Sequence, residues 1–170
     1  EYCDVLERRG WSVVQAPPVD DCPDGVFIED QVVVHGEIAV LCRSGAPERR
    51  RERAGVRESV EAQGYRVVAV EDPGTLDGGD VLKHGRWVWV GVGGRTNLAG
   101  VDQLRAALEG HRVEVVPVPV RKVLHLKSAV TALPDGSIIG FPPLVDDPTV
   151  LDRFVPVPEE AGAPVGLLGG

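Results

Sequence analysis

Three turn glycines recur at a nearly fixed interval, and this period constrains the fold more than any other feature of the sequence. Gly36 and Gly85 each follow a histidine, Gly136 follows an aspartate, and the three lie 49 and 51 residues apart. A glycine in such a pair between two extended runs is typical of a β-hairpin. A period of this size indicates a repeat architecture in which no single unit buries its own sheet face.

Each repeat is predicted to contain a hairpin, a helix and one further strand. Helices are favoured where periodic segments begin near Pro or Asn and end at Gly. The predicted helices cover 2–9, 47–63, 97–108 and, as a short piece, 149–153. The predicted strands cover 11–16, 31–35, 37–42, 65–70, 80–83, 86–92, 112–118, 127–133, 137–141 and 154–157. The run 24–30 is also predicted to be one buried strand, because it is apolar and bounded by Gly and Pro.

The ends of the chain determine which repeat architecture is expected. The chain enters on a helix and a strand, the back half of a unit, and 164–168 are predicted to begin a further unit. An open solenoid would need polar capping units at both ends, and the sequence shows none. Three full units flanked by broken ones predict an α/β fold that is an arc of a ring.

Bulk properties set limits on partners. With 170 residues the chain is long enough for one domain with a core. A formal charge of -8 argues against nucleic acid as a partner and is compatible with a cationic small molecule. No apolar run approaches the roughly 20 residues of a membrane span, and no basic leader precedes an apolar segment. We therefore expect neither a nucleic-acid nor a membrane partner; a homo-oligomer stays open.

The cysteines give no support for a metal site or a disulfide framework. Cys3, Cys22 and Cys42 are odd in number and lack the spacing of metal ligands. Such usage fits a reducing compartment, so we expect a cytoplasmic protein with no cofactor and no metal. The chain begins at Glu1 and contains no Met, which indicates that the natural start lies elsewhere.

Unusual polar residues occupy equivalent positions of the repeat. Just ahead of successive hairpins come pairs of such residues: Asp24 and Glu29, then Asp77 and Asp80, then His125 and Lys127. Arg49 and Arg95 each follow the second strand of a hairpin. If the units surround an axis, these side chains converge at one end of it. We therefore predict a pocket shared by acids, an imidazole and two guanidinium groups.

The chemistry of such a pocket suits an arginine-like ligand. Carboxylates can grip a planar guanidinium through two parallel hydrogen bonds, and Arg49 and Arg95 suit a carboxylate for the same reason. A histidine beside an acid suits proton transfer near neutral pH. Each residue also has a plainer explanation. His125 could be a core histidine, Arg49 part of a solvated helix face, Arg95 part of a capping loop, and Asp77 and Asp80 turn formers.

Five segments in this order and spacing resemble a known family. The segments are CPDGVFIED, SGAPERR, TLDGGDVL, GRTN and VLHLKSAVT. Together they are similar to dimethylarginine dimethylaminohydrolase (dimethylargininase), one of the guanidino-group-modifying enzymes of the pentein superfamily. The resemblance implies a pentein-type propeller of five ββαβ modules around a polar channel. Five modules would need about 250 residues. We therefore expect 1–170 to be a single, incomplete pentein domain lacking the first strand and the C-terminal module.

The resemblance also implies a reaction and its residues. It implies hydrolysis of N-omega-methylated arginines to citrulline and methylamine or dimethylamine, through attack by a cysteine thiolate and a covalent intermediate. His125 matches the catalytic histidine and Asp77 the acid that pairs with it. The remaining matches bind the guanidino amino acid: Asp24, Glu29, Asp30, Arg49 and Arg95, with Asp30 on the guanidinium side and the two arginines on the carboxylate.

One departure from the family affects the expected activity. The family's nucleophilic cysteine lies in a terminal motif beyond the equivalent of Gly170, and the three cysteines of this chain do not match it. The chain by itself is therefore expected to be inactive. Three alternatives stay open: an enzyme like arginine deiminase, a non-catalytic module that binds arginine derivatives, and a structural repeat protein without a ligand.

Overall fold

The computed structural model describes residues 1–158 and contains three mixed sheets of three strands each. In every sheet the first two strands form an antiparallel hairpin, and the third runs parallel to the second. The helices are α1 Tyr2–Arg8, α2 Val56–Ala62 and α3 Leu98–Ala107. The strands are β1 Val32–His35, β2 Ile38–Leu41, β3 Arg66–Ala69, β4 Val81–His84, β5 Trp87–Val92, β6 Glu114–Pro119, β7 Val130–Ala132, β8 Ile138–Gly140 and β9 Phe154–Pro156.

A third strand that runs parallel to the second requires a crossover connection, and the three units build this connection from different helices. Helix α2 connects β2 to β3, and α3 connects β5 to β6. The third crossover contains two short 3-10 helices, Pro142–Leu144 and Pro148–Val150. All three predicted hairpins are confirmed, and Gly36, Gly85 and Gly136 have φ of 55°, 57° and 86°. These left-handed values are ones that glycine adopts without steric cost.

The middle sheet lies between two apolar cores. Successive side chains of a strand point to opposite faces, and β5 is buried on both. Val88 and Val90 pack into a cluster shared with the first sheet, whereas Trp89 packs into a cluster shared with the third. Because both faces of β5 pack into apolar clusters, burial of apolar side chains fixes the positions of the three sheets relative to one another.

Three equivalent 3-10 turns bring the sheets' entry points together. Ile28–Asp30 precedes β1, Gly78–Asp80 precedes β4 and Leu126–Ser128 precedes β7. The turn of the second unit contacts the turns of both neighbours. The residues just before the turns, Phe27, Asp77 and His125, are equivalent in the repeat. Side chains that are about 50 residues apart in the chain therefore meet at one place.

Two predicted strands are wrong. The 11–16 segment pairs with no described strand, and Trp11 and Val14 are 68% and 54% exposed. An extended segment without a hydrogen-bonded partner gains nothing from β structure. The run 24–30 is a turn followed by a 3-10 helix, and Val26 is 77% exposed. Its apolar side chains line a cavity rather than a core.

The helix predicted for 47–63 is two elements. Pro47–Arg53 is a 3-10 helix, and α2 begins only after Gly55, whose φ is 78°. A 3-10 helix eclipses residues three apart, which places the guanidinium of Arg49 on the carboxylate of Glu52. The extended Ala54 and the left-handed Gly55 explain why the helix is not continuous.

Two further points concern the described part of the chain. The segment 164–168, predicted to begin another unit, lies outside the described residues. None of the helices within 1–158 combines the length and the apolar character needed to cross a membrane.

Candidate active site

His125 and Asp77 form a buried pair where the second and third units meet. Nε2 of His125 lies 3.3 Å from Oδ2 of Asp77. Asp77 is fully buried and His125 is 8% exposed. The same carboxylate accepts a hydrogen bond from the Gly45 amide at 3.2 Å and lies 3.4 Å from Nη1 of Arg95. The acid is therefore held from several sides with one oxygen directed at the imidazole.

The surroundings shift the pKa values of the pair in opposite directions. Burial lowers the pKa of His125, but the hydrogen bond to Asp77 and the negative charges of Asp30, Asp80 and Asp77 outweigh it and hold that pKa above its ordinary value. Burial raises the pKa of Asp77, but hydrogen bonds from His125, Ser44 and the Gly45 amide outweigh it and hold that pKa below its ordinary value. The pair therefore favours an imidazolium beside a carboxylate.

Asp30 reaches the same place from the first unit. Its Oδ1 accepts a hydrogen bond from the Gly79 amide at 2.8 Å, and its Oδ2 lies 3.0 Å from Nη1 of Arg49. Arg49 also binds Glu52, with an Nη2–Oε2 distance of 2.8 Å, and Gln31 donates to the same Glu52 oxygen. Burial lowers the pKa of Arg49, but these carboxylates outweigh it and raise that pKa. Asp30 is thus a buried, paired carboxylate.

The sequence around Asp77 leaves room for these contacts. A Cβ on Gly79 would lie 2.7 Å from Oδ1 of Asp30 and 2.8 Å from Cγ and Nδ1 of His125. A Cβ on Gly78 would lie 1.9 Å from the Glu29 carbonyl oxygen. The two glycines therefore allow three units to approach within hydrogen-bonding distance.

A cavity of about 350 Å³ opens beside the pair. Asp30 and His125 line it, as do Lys127 and Glu29, which form an ion pair with each other. The residues around it are Val26, Phe27, Ile28, Glu29, Asp30, Gly79, His125, Lys127 and Ser128. It combines apolar side chains with acids and one imidazole, as small-molecule sites commonly do.

The structure brings some of the predicted residues together and leaves others apart. One ligand atom each from Asp30, Asp77 and His125 lies within 4.8 Å of the others, a spacing that a metal ion could also bridge. Asp24 is half exposed, and its carboxylate is 3.9 Å from Nε of Arg49. Arg49 and Arg95 both point to acids, to Asp30 and Asp77 respectively, and neither lines the cavity.

Several residues around the site were not singled out from the sequence. Phe27, Thr96 and the Gly45 amide are among them; the Gly45 amide donates to the Asp77 carboxylate, and the Thr96 hydroxyl accepts from the Asp77 amide. Phe27 is the residue of the first unit equivalent to Asp77 and His125, and an alignment of the repeats on their turns would have found it. The Gly45 amide carries no side-chain signal, so only the approach of the second unit shows its use.

None of the three cysteines lines the cavity. Cys3 lies on α1, and Cys22 and Cys42 are buried. Burial, together with the charges of Asp77 and Asp30, raises the pKa of the Cys42 thiol far above its ordinary value. A thiol in that state is a poor nucleophile.

Comparison with known proteins identifies the family. The family model described as arginine deiminase matches residues 13–165. The chain belongs to the arginine deiminase family. A dimethylarginine dimethylaminohydrolase from Streptomyces coelicolor is 59% identical over 169 residues, covering 99% of this chain and 66% of that relative. Another of that name, from Pseudomonas aeruginosa, is 33% identical and is covered to 63%.

Solved structures agree with this placement within the arginine deiminase family. A cysteine-to-serine mutant of the Pseudomonas aeruginosa enzyme, complexed with citrulline, matches with a TM-score of 0.84 and 32% identity. The match covers 94% of this chain and 63% of that one. The resemblance to dimethylarginine dimethylaminohydrolases is confirmed, and with it an α/β fold of the propeller-like pentein type, present here as an incomplete ring. The chain spans just under two thirds of the length of these relatives.

Proposed function

We propose that the protein to which these 170 residues belong hydrolyses N-omega-methylated arginines to citrulline and methylamine or dimethylamine. The observation that carries this proposal is the buried His125–Asp77 pair next to Asp30, since His125 and Asp30 both line an acid-containing cavity. The names of the two dimethylarginine dimethylaminohydrolases, and the citrulline bound in one solved relative, support it.

In this proposal the acids bind the guanidinium group. Each carboxylate oxygen of Asp30 already accepts one hydrogen bond and retains a lone pair for a further donor. Glu29 lines the same cavity, and Asp24 stands at a more exposed position. Carboxylates around a guanidinium keep it protonated, so its central carbon stays electrophilic.

The two arginines are proposed to bind the substrate carboxylate, with unequal shares. Every guanidinium nitrogen of Arg49 is engaged by an acid or a carbonyl, and its side chain is only 7% exposed. Arg95 has one ion pair, at 3.4 Å, and its side chain is 23% exposed. Since Arg95 has more guanidinium N–H groups without a partner among the described residues, we assign it most of the contact with the substrate carboxylate.

The family resemblance supplies the order of chemical steps. A cysteine thiolate attacks the guanidinium carbon, the bond from that carbon to the methylated nitrogen breaks, and His125 donates its proton to the leaving amine. Water then loses a proton to His125 and attacks the same carbon, the carbon–sulfur bond breaks, and citrulline leaves with the thiolate restored. Asp77 holds the imidazole and stabilises its protonated state. We place the nucleophile outside these 170 residues.

The proposal extends to context. Residues 1–170 would be part of one pentein domain whose first strand and C-terminal module lie outside them. The three free cysteines support a reducing, cytoplasmic location. The partner would be a guanidino amino acid bound without a cofactor.

The test is an assay of the complete gene product against dimethylarginine, monomethylarginine and arginine. We expect citrulline from the methylated substrates, and His125→Ala should lower its formation at least about hundredfold while substrate binding stays measurable. His111→Ala, in the loop before β6, is the matched control and should keep full activity. Turnover of arginine alone would favour the deiminase that the family model is named for. Unchanged turnover in His125→Ala would contradict the role of this histidine.

A further inference from the structure

Two buried polar residues behind the site have no step assigned to them in the chemistry proposed above. Thr96, in the loop before α3, is fully buried, and Asp80, at the end of the turn before β4, is 2% exposed. Neither lines the cavity. A buried carboxylate is costly unless it is hydrogen-bonded, so its partners indicate what it does.

Thr96 and Asp80 join the backbones on either side of the catalytic pair. The Asp77 amide donates to Oγ1 of Thr96 at 3.1 Å, and this hydroxyl donates to Oδ2 of Asp80 at 2.6 Å. The other oxygen, Oδ1 of Asp80, accepts from the Leu126 amide at 3.0 Å. Leu126 directly follows His125. One chain of hydrogen bonds therefore runs from the backbone of Asp77 to the backbone beside His125.

The loop that carries Thr96 is itself fixed. Its neighbour Asn97 caps α3 by accepting from the Gly100 amide at 2.8 Å, and it also accepts from the Thr75 amide at 3.0 Å. Arg95, on the other side, reaches the side chain of Asp77. Asn97 thus fixes the loop, Thr96 binds the backbone of Asp77, and Arg95 binds the carboxylate of Asp77.

We propose that Thr96 and Asp80 are positioning residues that set the separation between Asp77 and His125. Asp77 belongs to the second unit and His125 to the third, so nothing local fixes their distance. The Thr96–Asp80 link spans the boundary between the two units at the backbone, where a small displacement would move both side chains. The catalytic meaning of this inference rests on the proposed function.

The neighbouring strand leaves space for the carboxylate. A Cβ on Gly91 of β5 would lie 2.7 Å from Oδ1 of Asp80. Burial raises the pKa of Asp80 to about 6, while the hydrogen bonds from Thr96 and the Leu126 amide oppose this rise. An apolar residue at this position would avoid the cost of burial but could not accept from both units.

The test compares Thr96→Val, which removes the hydroxyl without changing charge or shape much, with Thr96→Ser, which retains it. The measurement is the NMR titration of His125 in the complete protein, since its pKa responds more to the hydrogen bond with Asp77 than to the charge of Asp80. Thr131→Val is the matched control: Thr131 is a buried threonine of β7 that shares no hydrogen bond with Asp77 or His125 within the described 1–158.

We expect a lower His125 pKa in Thr96→Val, and the wild-type value in Thr96→Ser and Thr131→Val. The protection of the Asp77 amide against hydrogen exchange should fall about tenfold in Thr96→Val only. A folded Thr96→Val with the wild-type His125 pKa would overturn the inference. If Thr96→Val does not fold, Thr96→Cys replaces it, with a smaller fall expected because the thiol hydrogen-bonds weakly, and an unchanged pKa again overturns the inference.

These measurements do not use turnover, so they separate two failures. A complete protein that produces no citrulline but shows the expected pattern of His125 pKa values would refute the proposed function and leave the positioning link standing. If the complete protein forms citrulline but the His125 pKa is the same in wild type and Thr96→Val, the positioning link is refuted and the proposed function stands.

Discussion

The buried ion pairs of Arg49 offer the sharpest test of how this site is held together. The Arg49 side chain is 7% exposed, that of Glu52 is 2% and that of Asp30 is 10%. All three nitrogens of the guanidinium are within about 3 Å of these carboxylates. Replacing Arg49 by Ala would leave the carboxylates of Asp30 and Glu52 buried without the cation that pairs with both of them.

Burial decides the magnitude of this loss. An exposed ion pair contributes only about 0–1 kcal/mol to stability, because water screens it. Breaking a buried pair by removing one partner costs about 3–5 kcal/mol, since the remaining charge keeps its desolvation penalty. We therefore expect Arg49→Ala to lower the free energy of unfolding by about 3–5 kcal/mol. For a chain of this size the melting temperature would fall by roughly 6–20 °C.

The assay is urea unfolding followed by circular dichroism, with Arg57→Ala as control. Arg57 pairs with Glu61 one turn along α2 at 3.2 Å, but both side chains are nearly half exposed. This control should lose no more than about 0.5 kcal/mol. A loss in Arg49→Ala as small as in Arg57→Ala would refute the reasoning, because it would mean that water reaches Asp30 and Glu52.

Two further predictions concern Asp80 and Gly79. The pKa of Asp80 in the folded protein is about 6, above the ordinary 3.8, so its contribution to stability is full below about pH 4 and is lost as the pH rises through about 6. Urea unfolding between pH 4 and 7 should show most of this loss, about 2 kcal/mol, in the wild type and not in Asp80→Asn. If stability fell equally with pH in the two proteins, the prediction would be contradicted. Gly79→Ala should lower citrulline formation by the complete protein about hundredfold, because its methyl group would displace Asp30 and His125. Gly94→Ala is the control, because its methyl group would meet no atom within 4 Å, and it should keep wild-type citrulline formation. Equal losses of citrulline formation in both variants would exclude displacement of Asp30 and His125 as the cause.

Features encoded locally could be predicted from the sequence. The hairpins depend on glycines at left-handed φ between extended runs, and all three were predicted. The predicted repeat register was right only in part, because Phe27 rather than Asp24 is the residue of the first unit equivalent to Asp77 and His125. Helix α3 was predicted from Asn97, which does cap it. Two strand predictions were wrong, those for 11–16 and 24–30. Both were made from short apolar runs, as the correct strand predictions were. They depended on whether a partner strand or a core lay nearby, and no local pattern carries that information.

The sequence by itself determined the repeat, and the repeat register placed Asp77 and His125 at equivalent positions of neighbouring units. Only the tertiary structure decided that their side chains meet at 3.3 Å, that Arg49 turns to Glu52 and Asp30, and that Thr96 links two units through Asp80. The physical reason is that backbone conformation follows from neighbouring residues. The pairing of buried charges instead depends on which distant groups share the same desolvated space.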